Sequence, residues 1–170
     1  MLNNDRNLDI FEVLVKQNYQ KVYQMVFCYT KDKFISEDAV QQAFVIAYNK
    51  LNQLNSKDKF ASWVISIALN EAKRMLKEQH NPKVTSMLDL NRYPDRIETV
   101  IELKEDINNA LSKLKQKDTE ILLLKYYADL TLKQIANLLD LNISSTKVRL
   151  HRAKEKFREL IENDFKNIGG

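Results

Sequence analysis

TLKQIANLLDLNISSTKVRLHRAKEKF, residues Thr131 to Phe157, carries its own punctuation. Thr131-Leu132-Lys133-Gln134 reads as a capping box, in which the Thr hydroxyl and the Gln amide close N–H groups that a helix start leaves without partners. The spacing that follows buries Leu132, Ile135, Ala136 and Leu139, and the small Ala136 permits a close helix crossing. The helix stops at Asp140-Leu141-Asn142. Asp140 is of a type that tolerates positive φ, and Asn142 is a good N-cap for a second helix. An eight-residue helix, a three-residue turn and a longer basic helix have the proportions of a helix-turn-helix.

The second helix is locally crowded with cations. Lys147, Arg149, His151, Arg152, Lys154 and Lys156 fall within ten positions, and 143–158 carries six Lys/Arg against one acid, Glu155. Stepped at roughly 100° per residue from Leu150, Thr146, Ala153, Phe157, Leu160 and Ile161 form a core face. Val148, His151, Arg152, Glu155 and Glu159 lie opposite, flanked by Lys147 and Arg149. A DNA major groove offers guanine acceptors to Arg or Lys and a thymine methyl to an apolar side chain. The pattern therefore assigns Val148 to a methyl, Lys147 and Arg152 to guanine edges, His151 to the same face, and Arg149 and Lys154 to phosphates.

The rest of the chain supports a small all-α protein. Of its 170 residues 44% are hydrophobic, but only two are Gly and two Pro, so turns are scarce. No apolar run approaches the roughly 20 residues that span a bilayer, and the N-terminus lacks a signal-peptide core, so a cytosolic protein is expected. Net charge is only +4, so the global sign says little while the concentration near residue 150 marks a localised polyanion contact. Cys28 is the sole cysteine, no metal-spaced Cys/His cluster occurs, and Cys28, His80 and His151 assemble no triad; neither cofactor, metal nor catalysis is expected.

In the first half, Leu8, Phe11, Leu14, Val15, Val22, Val26 and Tyr29 predict an amphipathic helix. A second is expected to start at Ser36 as N-cap, burying Val40, Ala43, Phe44, Ala47 and Leu51 and leaving Asp38, Gln41, Gln42 and Asn49 outside. The stretch from Phe60 to Leu76 is apolar on two sides, which predicts central packing, and turns polar and basic through Asn70, Lys73, Arg74 and Lys77. Both prolines fall in 80–94, where the period lapses. The expected organisation is two small helical domains, 1–80 and 105–170, joined by a linker over 81–104, with a short apolar helix over Thr119 to Tyr127 and the C-terminal domain a four-helix helix-turn-helix unit.

With these elements in order, the chain resembles the extracytoplasmic-function (ECF) group of sigma-70-type bacterial RNA polymerase sigma factors. The likeness is carried by KVRLHRAKEKF, by Asp38, Gln41 and Phe44 in SEDAVQQAF, and by Phe60, Trp63, Val64, Ile67, Ala68 and Asn70 in FASWVISIALN. It implies an N-terminal domain that holds the polymerase clamp through Asp38, Gln41 and Gln42. The same domain would engage the promoter minus-ten element through Ser56, Lys57, Phe60, Asn70, Lys73, Arg74 and Lys77. It implies a C-terminal domain that docks on the polymerase flap and reads the minus-thirty-five duplex through Ser145, Lys147, Val148, Arg149, His151, Arg152 and Lys154. It further implies an anti-sigma partner. The plain reading of Phe60 and Trp63 from their stripe is core. The sequence departs from the family at Ser144-Ser145-Thr146-Lys147, where Gly-Thr-Val-Lys is common, and at Val148, where a small polar residue is frequent. The other reading is a stand-alone helix-turn-helix regulator that binds a palindrome as a dimer; it would need neither the Asp38/Gln41 surface nor a second basic helix.

Overall fold

A computed structural model describes residues 2–79 and 105–168, with side chains over 7–79 and 105–163. The linker expected over 81–104, and His80, lie outside the described residues. The chain divides between residues 94 and 95 into two compact units. No strand occurs among the described residues.

The first unit contains α1 (Leu2–Thr30), α2 (Lys33–Asn49) and α3 (Phe60–Gln79), with 3-10 turns at Leu51–Gln53 and Lys57–Lys59. Each helix packs on the other two. Val22, Met25 and Val26 of α1, Ala39, Val40, Ala43 and Ala47 of α2, and Val64, Ile65, Ala68, Leu69 and Ala72 of α3 are sealed from solvent. The alanines let the helix axes approach, and the branched residues fill what remains. Phe60 is 1% exposed and ties the three helices together, its ring centroid 5.9 Å from Phe11 and 6.4 Å from Phe44. Burial on two sides of α3 agrees with its doubly apolar pattern, although Trp63, Ile67, Met75 and Leu76 are only half-buried.

The start of α2 corrects the expectation at Ser36. The N-cap is Asp32, whose Oδ1 accepts from the Ile35 amide at 2.9 Å. Lys31 turns the chain with φ 56°, and Ser36 is fully buried one turn inside the helix. The Ser36 hydroxyl donates to the Asp32 carbonyl at 2.5 Å and lies 2.7 Å from the Thr30 hydroxyl, so it locks the α1–α2 corner. Both residues suit a cap, and the apolar Ile35 beyond Asp32 decides between them by going to the core.

The second unit contains α4 (Glu105–Ser112), α5 (Gln116–Leu122), α6 (Leu132–Leu138) and α7 (Ile143–Ile168). The helix expected over Thr119 to Tyr127 starts three residues earlier and ends in a wider π turn over Leu123–Tyr127. That turn is closed by the Ala128 amide on the Leu123 carbonyl at 2.9 Å, with Asp129 at φ 54° and the Leu130 amide on the Leu124 carbonyl at 3.1 Å. The extra residue per turn sends Leu123, Leu124, Ala128 and Leu130 all inward. Ile121, Ile135, Leu138 and Ala153 complete the core with them.

Candidate nucleic-acid interface

The capping box is formed in full: the Thr131 hydroxyl accepts from the Gln134 amide at 3.2 Å, and the Gln134 side chain accepts from the Thr131 amide at 2.8 Å. Ile135, Ala136 and Leu138 are buried, while Leu132 and Leu139 are half-buried; Leu138 was not among the residues expected inside. Asp140 takes φ 53°, and the Leu141 amide returns to the Ala136 carbonyl at 2.9 Å, so α6 ends on a left-handed residue. Asn142 then caps α7, its Oδ1 accepting from the Ser145 amide at 2.7 Å. Thr146, wholly buried, adds a hydroxyl bond to the Asn142 carbonyl at 2.9 Å. Because this cap sets where α7 begins, Asn142→Ala should cost about 1 kcal/mol of stability in thermal unfolding. An unchanged melting curve would count against it.

Lys147, Val148, His151, Arg152 and Lys154 are exposed on α7, with Ser145 exposed in its first turn. Val148 is 50% exposed and Ile143 46%, so apolar surface stands among the cations. Arg149 is placed otherwise than its position on the wheel suggested. Its Nη2 donates to the Lys117 carbonyl at 2.6 Å and to Glu120 Oε2 at 3.1 Å, both on α5, and its Nε is buried. Lys156 likewise turns to α5, at 2.6 Å from Asp118 Oδ2. Arg158 pairs with Glu155 at 3.0 Å. Half of the six Lys/Arg of the run are thus offset by carboxylates, and Lys147, Arg152 and Lys154 remain directed to solvent. The charge count could not reveal this, because the two α5 acids lie some thirty residues back in the chain.

In the first unit, Asn70, Lys73, Arg74, Lys77 and Glu78 line a shallow depression at the polar end of α3. The Asn70 amide donates to the Ser66 carbonyl at 2.9 Å. Arg74 lies between Glu71 at 2.8 Å and Glu78 at 2.7 Å. Those two carboxylates, Glu71 first, hold its guanidinium above its ordinary pKa. The patch therefore nearly cancels its own charge. Ser56 and Lys57 are exposed before α3. Phe60 is the correction here: at 1% exposed it offers a base no surface, because its ring is spent joining three helices.

On α2, Asp38, Gln41, Gln42 and Asn49 are exposed as expected. The structure adds Phe34, 72% exposed, and Val45, 56% exposed, to the same side. Helical spacing of 34, 38, 41 and 45 makes one stripe in which two apolar residues bracket the polar pair. No group of three or more potential metal ligands and no helix long and apolar enough to cross a membrane occurs among the described residues.

Residues 14–81 match the family model described as Sigma-70 region 2, and residues 104–157 match Sigma-70, region 4, together more than two thirds of the chain. The chain is 25% identical to the ECF RNA polymerase sigma factor SigW of Bacillus subtilis (strain 168), over 91% of this chain and 90% of the relative. It is 32% identical to the probable RNA polymerase sigma factor RfaY of Xanthomonas campestris pv. campestris, over 78% of this chain but only 36% of that longer protein. Its fold is similar to that of the sigma factor RpoE from Bartonella quintana, solved in complex with the anti-sigma factor NepR, with TM-score 0.53 at 18% identity, covering 89% of this chain and 96% of that one.

Proposed function

The chain belongs to the ECF group of the sigma-70 family of RNA polymerase sigma factors, and from that membership we propose the part each of its surfaces plays in directing polymerase to promoters. Residues 1–80 act as the clamp-binding and minus-ten domain, 81–104 as linker, and 105–170 as the minus-thirty-five domain. The site of action is the cytoplasm, and the polymerase core, not this chain, carries out nucleotidyl transfer.

The reading of α7 as the duplex-reading helix rests on its outward face: Lys147, Val148, His151 and Arg152 exposed together behind an Asn142 cap. Lys147 and Arg152 donate to guanine edges, Val148 covers a thymine methyl, and Ser145 and Lys154 hold the backbone. In the first unit, Lys73, Arg74, Lys77 and Asn70 track the minus-ten strand, with Ser56 and Lys57 beside it. Asp38, Gln41 and Gln42 meet the polymerase clamp, and exposed Phe34 and Val45 supply the apolar anchors that a polar pair alone lacks. An anti-sigma partner follows the same analogy, since a structural relative was solved with one. A dimeric stand-alone regulator is disfavoured, because it would leave the α2 stripe and the end of α3 without a task.

Run-off transcription with polymerase core over a randomised promoter library tests the assignment. Wild type should confer promoter selectivity on core. Val148→Ser should lose thymine preference at one minus-thirty-five position, by roughly fourfold for a contact of about 0.8 kcal/mol. If core gains no selectivity from this chain, the assignment falls; if preference is unchanged at every position in Val148→Ser, the methyl contact does.

A further inference from the structure

Seen along its axis, α7 carries residues 146, 149, 153 and 156 at the three- and four-residue steps of one side, the first and third buried, 149 half-buried and 156 at the exposed edge. Thr146 and Ala153 on that side are wholly buried, and between and beyond them stand two cations, Arg149 and Lys156. Small buried residues bring the helix close without fixing its rotation, since neither has a long side chain to key into a neighbour. The cations supply the key. Arg149 spans the Lys117 carbonyl and the Glu120 carboxylate, two acceptors on successive turns of α5, and Lys156 reaches Asp118, which is only 8% exposed.

We propose that Arg149 and Lys156 are positioning residues, which clasp α7 to α5 and thereby set which side chains the helix turns toward the duplex. The proposal rests on the reading of α7 as the duplex-binding helix. Position 149 is one residue from Val148, so a rotation of α7 by one residue's worth, roughly 100°, would swap the outward set for another. Two acceptors held by one planar guanidinium resist that rotation, which a single-point ammonium at the same place would not. Glu120 and Asp118 then belong to promoter recognition although both are acids on a polyanion-binding domain. Here an acid near the interface strengthens recognition.

The sign of the effect separates this role from phosphate contact. Promoter binding by polymerase core with the full-length chain is measured across a salt series for Glu120→Gln, Arg149→Lys, Arg149→Ala and Arg152→Ala. A clasp predicts that Glu120→Gln lowers the ratio of specific to non-specific affinity by about tenfold, the scale of one mismatched base pair. Arg149→Lys, which keeps the charge, should do the same. Arg149→Ala should share that loss while the slope of log affinity against log salt stays at the wild-type value. A phosphate contact predicts the reverse: Glu120→Gln frees the guanidinium, tightens binding and steepens the slope, and Arg149→Ala flattens it by about 0.9. Either of those results overturns the proposal. If Arg152→Ala erodes discrimination while Glu120→Gln and Arg149→Lys leave it intact, the clasp alone is refuted. If Arg152→Ala also has no effect, the reading of α7 fails and the clasp with it. Urea unfolding of each variant checks that loss of discrimination is not loss of fold, and Glu120→Gln, isosteric and on a partly exposed side chain, keeps the test open should Arg149→Ala unfold.

Discussion

Phe60→Ala should lower the unfolding free energy of the first unit by about 3–5 kcal/mol, the range for deleting a buried aromatic ring. The ring has 1% of its surface exposed and touches Phe11 of α1 and Phe44 of α2 from its seat at the start of α3, so all three helices lose a common neighbour. The rings left facing the gap, Phe11 and Phe44, are rigid and cannot extend to fill it. Urea unfolding followed by the fluorescence of Trp63 reads this directly, because Trp63 is the chain's single tryptophan and lies 6.3 Å from Phe60 between ring centroids. A loss under about 1 kcal/mol would mean that the bundle collapses onto the space and that Phe60 is not its keystone. The same experiment bears on DNA. Phe60→Leu should recover most of the stability and leave promoter opening as in wild type, since a buried ring contacts no base.

The second large effect is expected at the outward face of α7. Lys147→Ala together with Arg152→Ala removes two of the three cations that the internal pairs leave directed to solvent. Each bidentate contact to guanine is worth about 1–3 kcal/mol of discrimination, so the double variant should lose roughly 30-fold to 25,000-fold at its best promoter and approach non-specific affinity. The fold should be untouched, because both side chains are exposed on the surface of α7. Binding of labelled promoter duplex to the holoenzyme checks the first statement, and thermal unfolding the second. A double variant that keeps wild-type selectivity would sink the assignment of these residues to base edges.

What could be read from sequence was mostly what is settled within one turn of chain. The Thr131/Gln134 box, the positive φ at Asp140 and the Asn142 cap are decided by side chains three residues or fewer from the backbone they serve, and all three are formed. Val148 stands exposed because a helix face is periodic, and periodicity is written in the order of residues. Ser36 is the opposite case. Its local company, Glu37 and Asp38, suits a cap, but its hydroxyl answers to Thr30 across the α1–α2 corner. Arg149 belongs to the same class, since its acceptors stand 29 and 32 positions back. A run of like charges shows how many cations there are, and only the packed domain shows which of them are already engaged. The π turn at Leu123–Tyr127 was illegible for a related reason: the pattern marks residues as apolar, while the extra residue per turn is chosen by how Leu123, Leu124, Ala128 and Leu130 fit one core.

The near-cancellation of charge at the end of α3 has a consequence for how promoter choice is divided. Arg74 shared by Glu71 and Glu78 is a poor grip on a free strand, because it must give up two carboxylates to take one phosphate. A tether changes the arithmetic. If α7 holds duplex as proposed, a strand engaged by the first unit would no longer be met by diffusion but at an effective concentration that reaches the millimolar range for short linkers. A contact of millimolar affinity is silent alone and half-saturated in tandem. Under the proposed assignment of α3 and α7, weakness at α3 would make the chain respond to two promoter elements together rather than to either one by itself.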